Sequence, residues 1–277
     1  MRLKYNTPKT LGAKAASLIT TLYEEKHSIF RLKEVRKILN IGKPSATNFV
    51  RKLVNRGIAT RLKPGLFILV PFELGKEREY LGEPLLVARE IVSGKGYYFS
   101  HGTAMQIHQM VTQPRLVVST SVLKPRRPVH VLGAEFQFIH TPKKYFFGIT
   151  DHWATKEAKV KVSDLEKTVV DGLRQPEYCG GLTEVAKGLW MRHQDMNHDR
   201  LIEYAKKTGI GAVIRRLGFL MELYQIGIAK NLEALQNTLT ETYMRLDPLL
   251  PAEGKFLRRW RLQLNVSSEE LLAVVRT

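Results

Sequence analysis

Two histidines and a serine are the first residues whose spacing suggests chemistry. His101 and His108 lie seven residues apart, so they would share one face of a helix, and Ser100 directly precedes His101. Zinc sites use three or four protein ligands, and no third ligand stands at a matching spacing. A serine nucleophile on a strand-to-helix turn would be framed by glycines, and this serine is not. We therefore predict no metal site and no cofactor.

Motifs for nucleotide chemistry are also missing from the sequence. It contains no GxxxxGK[ST] phosphate loop, no GxGxxG motif after a strand and no paired-carboxylate metal motif. The prediction is a protein without catalytic residues, hence not an enzyme. The enzymatic alternative is a nucleic-acid hydrolase or transferase that uses His101 and His108.

A second group of polar residues has the spacing of a binding surface. Apolar residues at helical spacing predict one helix over Arg31–Leu39 and another that starts at Pro44 and continues toward Gly57. The apolar side of the second helix leaves polar side chains on its other side, and such side chains can bond phosphates and base edges. This outward set is Ser45, Thr47, Asn48, Arg51, Lys52 and Asn55.

The residues after these helices predict a hairpin. Two β-prone runs, Ile58–Leu62 and Leu66–Val70, are separated by Lys63-Pro64-Gly65, which is typical of a turn. Helix, turn, second helix and hairpin together predict a winged helix-turn-helix. Arg61 and Lys63 would then lie near the tip of the wing, where they could touch the DNA backbone or the minor groove. The alternative is a small helical subdomain with a solvated basic face.

The distribution of charge favours a polyanionic partner for this region. The formal net charge of the chain is +18, and residues 1–65 contribute +12 of it, with 15 Lys/Arg against 3 Asp/Glu. A basic module that coincides with a helix-turn-helix is the electrostatic pattern of a nucleic-acid-binding protein.

Composition excludes several other classes. No apolar run approaches the roughly 18 residues of a membrane span, and the first residues have no apolar signal region. The single cysteine, Cys179, cannot form an internal disulfide. These features predict a cytoplasmic protein that does not bind membranes.

The pattern of elements predicts an α+β chain of three domains. Residues 1–72 would form the winged helix-turn-helix, residues 73–162 a middle mixed α/β domain, and residues 163–277 a helical bundle that binds a partner. Ser163 and Glu166 match a capping box at the start of the third domain. Two further basic groups could contact nucleic acid or a partner protein. They are Lys124, Arg126 and Arg127, and Arg258, Arg259 and Arg261.

The chain resembles the AbiEi family of antitoxins and transcriptional regulators from bacterial abortive-infection systems, which belong to the type IV toxin–antitoxin class. The resemblance extends over nearly the whole length and is carried by the predicted winged helix, by Ser100–Ala104 and above all by Ser163–Leu189. In that last stretch an acidic-Leu-Glu-Lys-Thr helix is followed by Asp171 and by Pro176–Gly181.

The resemblance implies two functions and no catalytic residues. The winged helix would bind operator DNA with inverted repeats and repress the protein's own operon, with two copies associating on the DNA. The C-terminal region would neutralise a cognate nucleotidyltransferase-like toxin of the AbiEii type. A ligand-responsive winged-helix regulator without a toxin partner is a further alternative.

Overall fold

The computed structural model describes residues 11–113 and 116–275, and it confirms the predicted α+β class. No helix among these residues is long and apolar enough to cross a membrane. The α-helices are α1 (Ala13–Glu24), α2 (Leu32–Leu39), α3 (Lys43–Asn55), α4 (Pro84–Val92), α5 (His101–Ile107), α6 (Leu165–Arg174), α7 (Leu182–Arg192), α8 (His198–Thr208), α9 (Gly211–Leu223), α10 (Ala229–Gln236) and α11 (Ser268–Val274).

Short strands separate many of the helices. They are β1 (Ile29–Arg31), β2 (Ala59–Lys63), β3 (Leu66–Leu69), β4 (Tyr97–Phe99), β5 (Val117–Val122), β6 (Val129–Val131), β7 (Ala134–His140), β8 (Ile149–Thr155), β9 (Ala158–Ser163), β10 (Met244–Arg245), β11 (Lys255–Leu257) and β12 (Leu262–Leu264).

The chain divides into two compact units. The first comprises Met1–Gly94 and Val129–Glu135, and the second comprises Lys95–Pro128 and Phe136–Thr277. The first unit therefore extends past the predicted boundary at residue 72 and includes α4. The three functional domains predicted from the sequence stay a prediction.

In the first unit, three helices pack on a three-stranded antiparallel sheet of order β1-β3-β2. Asn40 ends α2 in the left-handed conformation, and α3 begins after Gly42 with Pro44 in its first turn, where a proline costs no hydrogen bond. Apolar residues from all three helices and the sheet share one core, in which Leu18, Phe30 and Leu53 are almost completely buried.

The β2–β3 hairpin turns at Gly65, whose φ of +78° suits glycine. Phe67 pairs with Arg61, and the register then shifts so that Leu66 pairs with Lys63. Arg61 is exposed and Leu62 is buried, as expected for neighbouring side chains that point to opposite faces of a strand.

In the second unit, five strands have the order β7-β5-β4-β9-β8. The central strand β4 runs antiparallel to β5 and parallel to β9. Helix α6 follows β9 directly, and its cap differs from the predicted one. Asp164, not Ser163, is the N-cap, and its carboxylate accepts a hydrogen bond from the Lys167 N–H at 2.8 Å. The predicted capping box was therefore wrong by one residue.

The prediction that the chain stays helical after Ser163 was also wrong. This part of the chain contains helices α6–α11, but it also contains a small sheet whose strands have the order β10-β12-β11. Between β11 and β12, Trp260 is fully buried and its indole N–H donates to Glu222 of α9. Gly218 of α9 leaves space for the Trp260 ring, because a Cβ atom at position 218 would lie 2.0 Å from a ring carbon.

We predict that Gly218→Ala destabilises the protein by about 1–3 kcal/mol, because the new methyl group overpacks the fully buried indole. This loss should exceed the roughly 1 kcal/mol that alanine normally gains over glycine in a helix. Chemical denaturation measures the difference. Gly12→Ala is the control, since nothing lies within 4 Å of its Cβ position. Equal stability of the two variants would show that the space around Trp260 is not limiting.

Candidate nucleic-acid interface

Helix α3 separates its apolar and polar residues cleanly. Ala46, Val50 and Leu53 are at most 2% exposed and form part of the core of the first unit. All six residues of the outward set predicted from helix phase lie at exposed positions. They are Ser45, Thr47, Asn48, Arg51, Lys52 and Asn55, which we call the α3 face.

The residues of the α3 face differ in whether their side chains form hydrogen bonds within the protein. The Thr47 hydroxyl donates to the Lys43 carbonyl at 2.9 Å, so it is engaged within the helix. Within the described part of the chain, the side chains of Asn48, Arg51 and Lys52 have no hydrogen-bond or ion-pair partner. These three side chains are therefore available to an external ligand.

The two basic residues of the hairpin are in different situations. Arg61 is exposed on β2. Lys63 is half-buried, and its ammonium donates to the Ile91 carbonyl at 2.7 Å. Lys63, which the sequence predicts to contact DNA, is thus engaged with α4 within its own unit.

A groove of about 930 Å³ lies beside β2 in the first unit. Its lining includes Arg61, Lys76 and Arg78, together with the acidic residues Glu77 and Glu79. The Arg78 guanidinium donates to the Asn55 carbonyl at the end of α3. The groove therefore extends from the end of α3 along the hairpin.

Sequence reasoning missed Lys76 and Arg78, because it ended the winged helix-turn-helix at residue 72. In the structure, Gly57 has a φ of +68°, and its Cβ position lies 2.7 Å from the Arg78 side chain. A glycine at a helix end is common for conformational reasons alone, so it could not have identified this contact.

The other predicted basic residues all belong to the second unit. Lys124, Arg126 and Arg127 are exposed between β5 and β6. Arg258 is exposed too, whereas Arg259 forms an ion pair with Glu222 at 2.6 Å. These residues therefore belong to a different unit from the α3 face.

The histidines considered for catalysis have separate partners. His101 Nδ1 lies 2.8 Å from Ser100 Oγ, which in turn lies 2.8 Å from Ser121 Oγ. His108 Nε2 lies 2.7 Å from the Ser163 carbonyl oxygen. The described residues contain no group of three potential metal ligands.

A buried polar cluster surrounds His101. Lys167 and Asp171, one turn apart on α6, are 1% exposed and form an ion pair, and the Tyr98 hydroxyl donates to Asp171 at 3.1 Å. Asp171, which the sequence analysis named only as part of the family resemblance, is thus a buried member of this cluster. Lys167 and Asp171 stand at i and i+4, a spacing that is also typical of exposed ion pairs, so it did not indicate burial.

Burial and charge shift the pKa values in this cluster. Burial lowers the pKa of His101 to about 3, so the imidazole is neutral at pH 7. Burial lowers the pKa of Lys167 also, while Asp171 opposes that shift. Burial would raise the pKa of Asp171, but the charges of Lys167 and Arg174 and the hydrogen bond from Lys167 act against it, and the net pKa is lowered. The cluster thus holds an ion pair beside a neutral imidazole.

We predict that His101 makes stability depend on pH. The unfolded chain binds a proton at this histidine near pH 6.5, while the folded chain does so only near pH 3. The free energy of unfolding should therefore fall as the pH drops through this range, with a slope from this group that approaches about 1.4 kcal/mol per pH unit. Urea denaturation at pH 7, 6 and 5 measures the slope.

His101→Asn should reduce that slope, since asparagine does not titrate and tolerates the φ of +51° found here. His130→Asn, at an exposed position, is the matched control and should leave the slope unchanged. Identical slopes for the wild type and His101→Asn would exclude His101 as the source.

Comparisons with known proteins identify a fold. No protein-family model matches the chain, and no curated protein does. Among solved structures, the crystal structure of the Rv2827c protein from Mycobacterium tuberculosis is similar, with a TM-score of 0.72 over 98% of this chain and 97% of that one. The two sequences are 14% identical, so the similarity shows a shared fold alone.

Proposed function

We propose that the chain is a non-enzymatic DNA-binding antitoxin that represses its own operon, as its resemblance to the AbiEi family implies. In this proposal the first unit is a winged helix-turn-helix. Helix α3 is its recognition helix, and the β2–β3 hairpin is its wing. The observation that carries the proposal is the α3 face, whose amide and cationic side chains are exposed and lack partners within the described residues.

The α3 face has the chemistry of a DNA reader. Arginine can bond two acceptors of guanine, and asparagine can bond adenine in the same bidentate way, so Arg51 and Asn48 are the proposed base-reading residues. Lys52 and Arg61 would contact phosphates and supply affinity that depends on salt. Lys63 is removed from the predicted contact set, because its ammonium already bonds the Ile91 carbonyl. Lys76, which is exposed in the groove, replaces it as a candidate backbone contact.

The rest of the proposal concerns partners. The operator would contain inverted repeats, each bound by one copy of the protein, which would raise specificity. The helices of the second unit, α6–α10, would form the bundle that neutralises a nucleotidyltransferase-like toxin of the AbiEii type. The cell compartment would be the cytoplasm.

We predict that Arg51→Ala weakens binding to the protein's own promoter DNA by about 1–3 kcal/mol, or roughly 5- to 150-fold, through loss of a bidentate base contact. Fluorescence anisotropy with the promoter fragment and a scrambled fragment, at two salt concentrations, measures it. Lys206→Ala removes an exposed cation from α8 and should leave affinity unchanged. Wild-type binding that is equal for both fragments and steeply salt-sensitive would contradict a specific repressor.

We also predict that repression and neutralisation can be separated. A variant with both Arg51→Ala and Lys52→Ala should lose repression of a reporter, because both substitutions lie on the α3 face. The same variant should still protect cells that express the neighbouring toxin, because neutralisation is assigned to the second unit. Growth and reporter output measured in the same strain give both results. A folded variant that loses both functions together would refute this division.

A further inference from the structure

A rigid turn in the second unit presents cationic and aromatic side chains to solvent. The turn lies between β11 and β12 and contains Arg258-Arg259-Trp260-Arg261. Trp260 is fully buried against α9, and Arg259 is bound to Glu222 of the same helix. Two of the four side chains thus fix the turn. Arg258 is exposed, and the half-buried Arg261 lies with its Nη1 atom 3.5 Å from the Tyr243 hydroxyl oxygen.

The backbone at Arg261 adopts a conformation that non-glycine residues seldom use. Its φ is +49°. The Arg261 N–H donates to the Arg258 carbonyl at 3.3 Å, and the Arg261 carbonyl accepts from the Met244 N–H at 3.1 Å. Such conformations persist where the surroundings enforce them, and they concentrate at functional sites.

The Arg261 side chain and two aromatic rings beside this turn contact one another. The Arg261 guanidinium carbon lies 5.6 Å from the centre of the Tyr243 ring, within the range of a cation–π contact. The Tyr243 ring in turn meets the Phe256 ring edge to face, at 5.2 Å between centroids and 89° between planes. The orientation of the Tyr243 and Phe256 rings is therefore set by contacts within this segment.

These aromatic rings are unusually open to solvent. Phe256 is 65% exposed and Tyr243 is 36% exposed. Arg245, Lys255 and Arg258 are exposed on the same small sheet and turn, whereas the exposed acids of this segment are Glu241 and Glu253. Exposed cations therefore outnumber exposed acids around the rings, and this balance favours a polyanionic ligand.

We propose that Tyr243, Phe256, Arg258 and Arg261 form a binding surface for single-stranded nucleic acid, separate from the α3 face and its duplex target. An unpaired base stacks on the Phe256 ring, and the guanidinium groups of Arg258 and Arg261 bind the flanking phosphates. Duplex DNA does not fit this chemistry, since its bases are already stacked and paired. Single strands expose both the base faces and the phosphates that this surface offers to bind.

The test uses the full-length protein and labelled single-stranded RNA and DNA of about 12 nucleotides, a typical length for one site. We predict that Phe256→Ala lowers affinity about ten-fold, as expected for one stacked base, and that Phe256→Trp retains it. Phe72→Ala is the matched control. That phenylalanine is 40% exposed, lies in the first unit and should have no effect.

A second pair of measurements separates this surface from the proposed repressor site. The variant with Arg258→Ala and Arg261→Ala should weaken single-strand binding and reduce its dependence on salt, while promoter binding stays unchanged. Arg51→Ala should weaken promoter binding and leave single-strand binding unchanged. These measurements therefore distinguish failure of the single-strand proposal from failure of the repressor proposal.

Three outcomes would overturn the inference. They are an absence of single-strand binding at low salt, binding that depends on the arginines but not on Phe256, and single-strand binding that fails only when Arg51 is replaced. If Phe256→Ala spared single-strand binding but abolished toxin neutralisation, the surface would belong to a protein partner. Thermal denaturation of each variant confirms folding, which an exposed side chain should not affect.

Discussion

The buried ion pair between Lys167 and Asp171 is the interaction on which the second unit depends most. Removing two such charges from water costs several kcal/mol for each ion, and only their mutual attraction and further hydrogen bonds offset that cost. Here the Tyr98 hydroxyl bonds Asp171, and the Lys167 ammonium lies 4.9 Å from the Phe147 ring centre. Helix α6 is therefore fixed to the central strand β4 by polar contacts that tolerate little displacement.

The first unit differs from the second in where its charged side chains lie. Some cations are engaged internally, as the Lys63 ammonium is with the Ile91 carbonyl, and they hold the unit together. Others, such as Arg51 and Lys52, are exposed on a helix whose opposite side is buried. The proposed binding of DNA at the α3 face would therefore use side chains that do not belong to the core.

The sequence predicted those features that depend on local spacing. The phase of α3 followed from Ala46, Val50 and Leu53, and the hairpin turn followed from Pro64-Gly65. Features set by distant contacts could not be predicted in this way. The strands β10–β12 have only two or three residues each, too few for an alternating pattern. The burial of Asp171 depends on Tyr98, 73 residues away. Likewise, Lys63 looked like a free cation because its acceptor lies on α4.

The contact between Gly218 and Trp260 has a consequence for how this sequence can evolve. A side chain added at position 218 would enter the space of the indole, and a smaller residue at position 260 would leave a cavity. Each replacement alone is therefore unfavourable, while a larger residue at 218 with a smaller one at 260 could restore the packed volume. Related chains should show these two positions changing as a pair, and the arginines that flank Trp260 would shift with it.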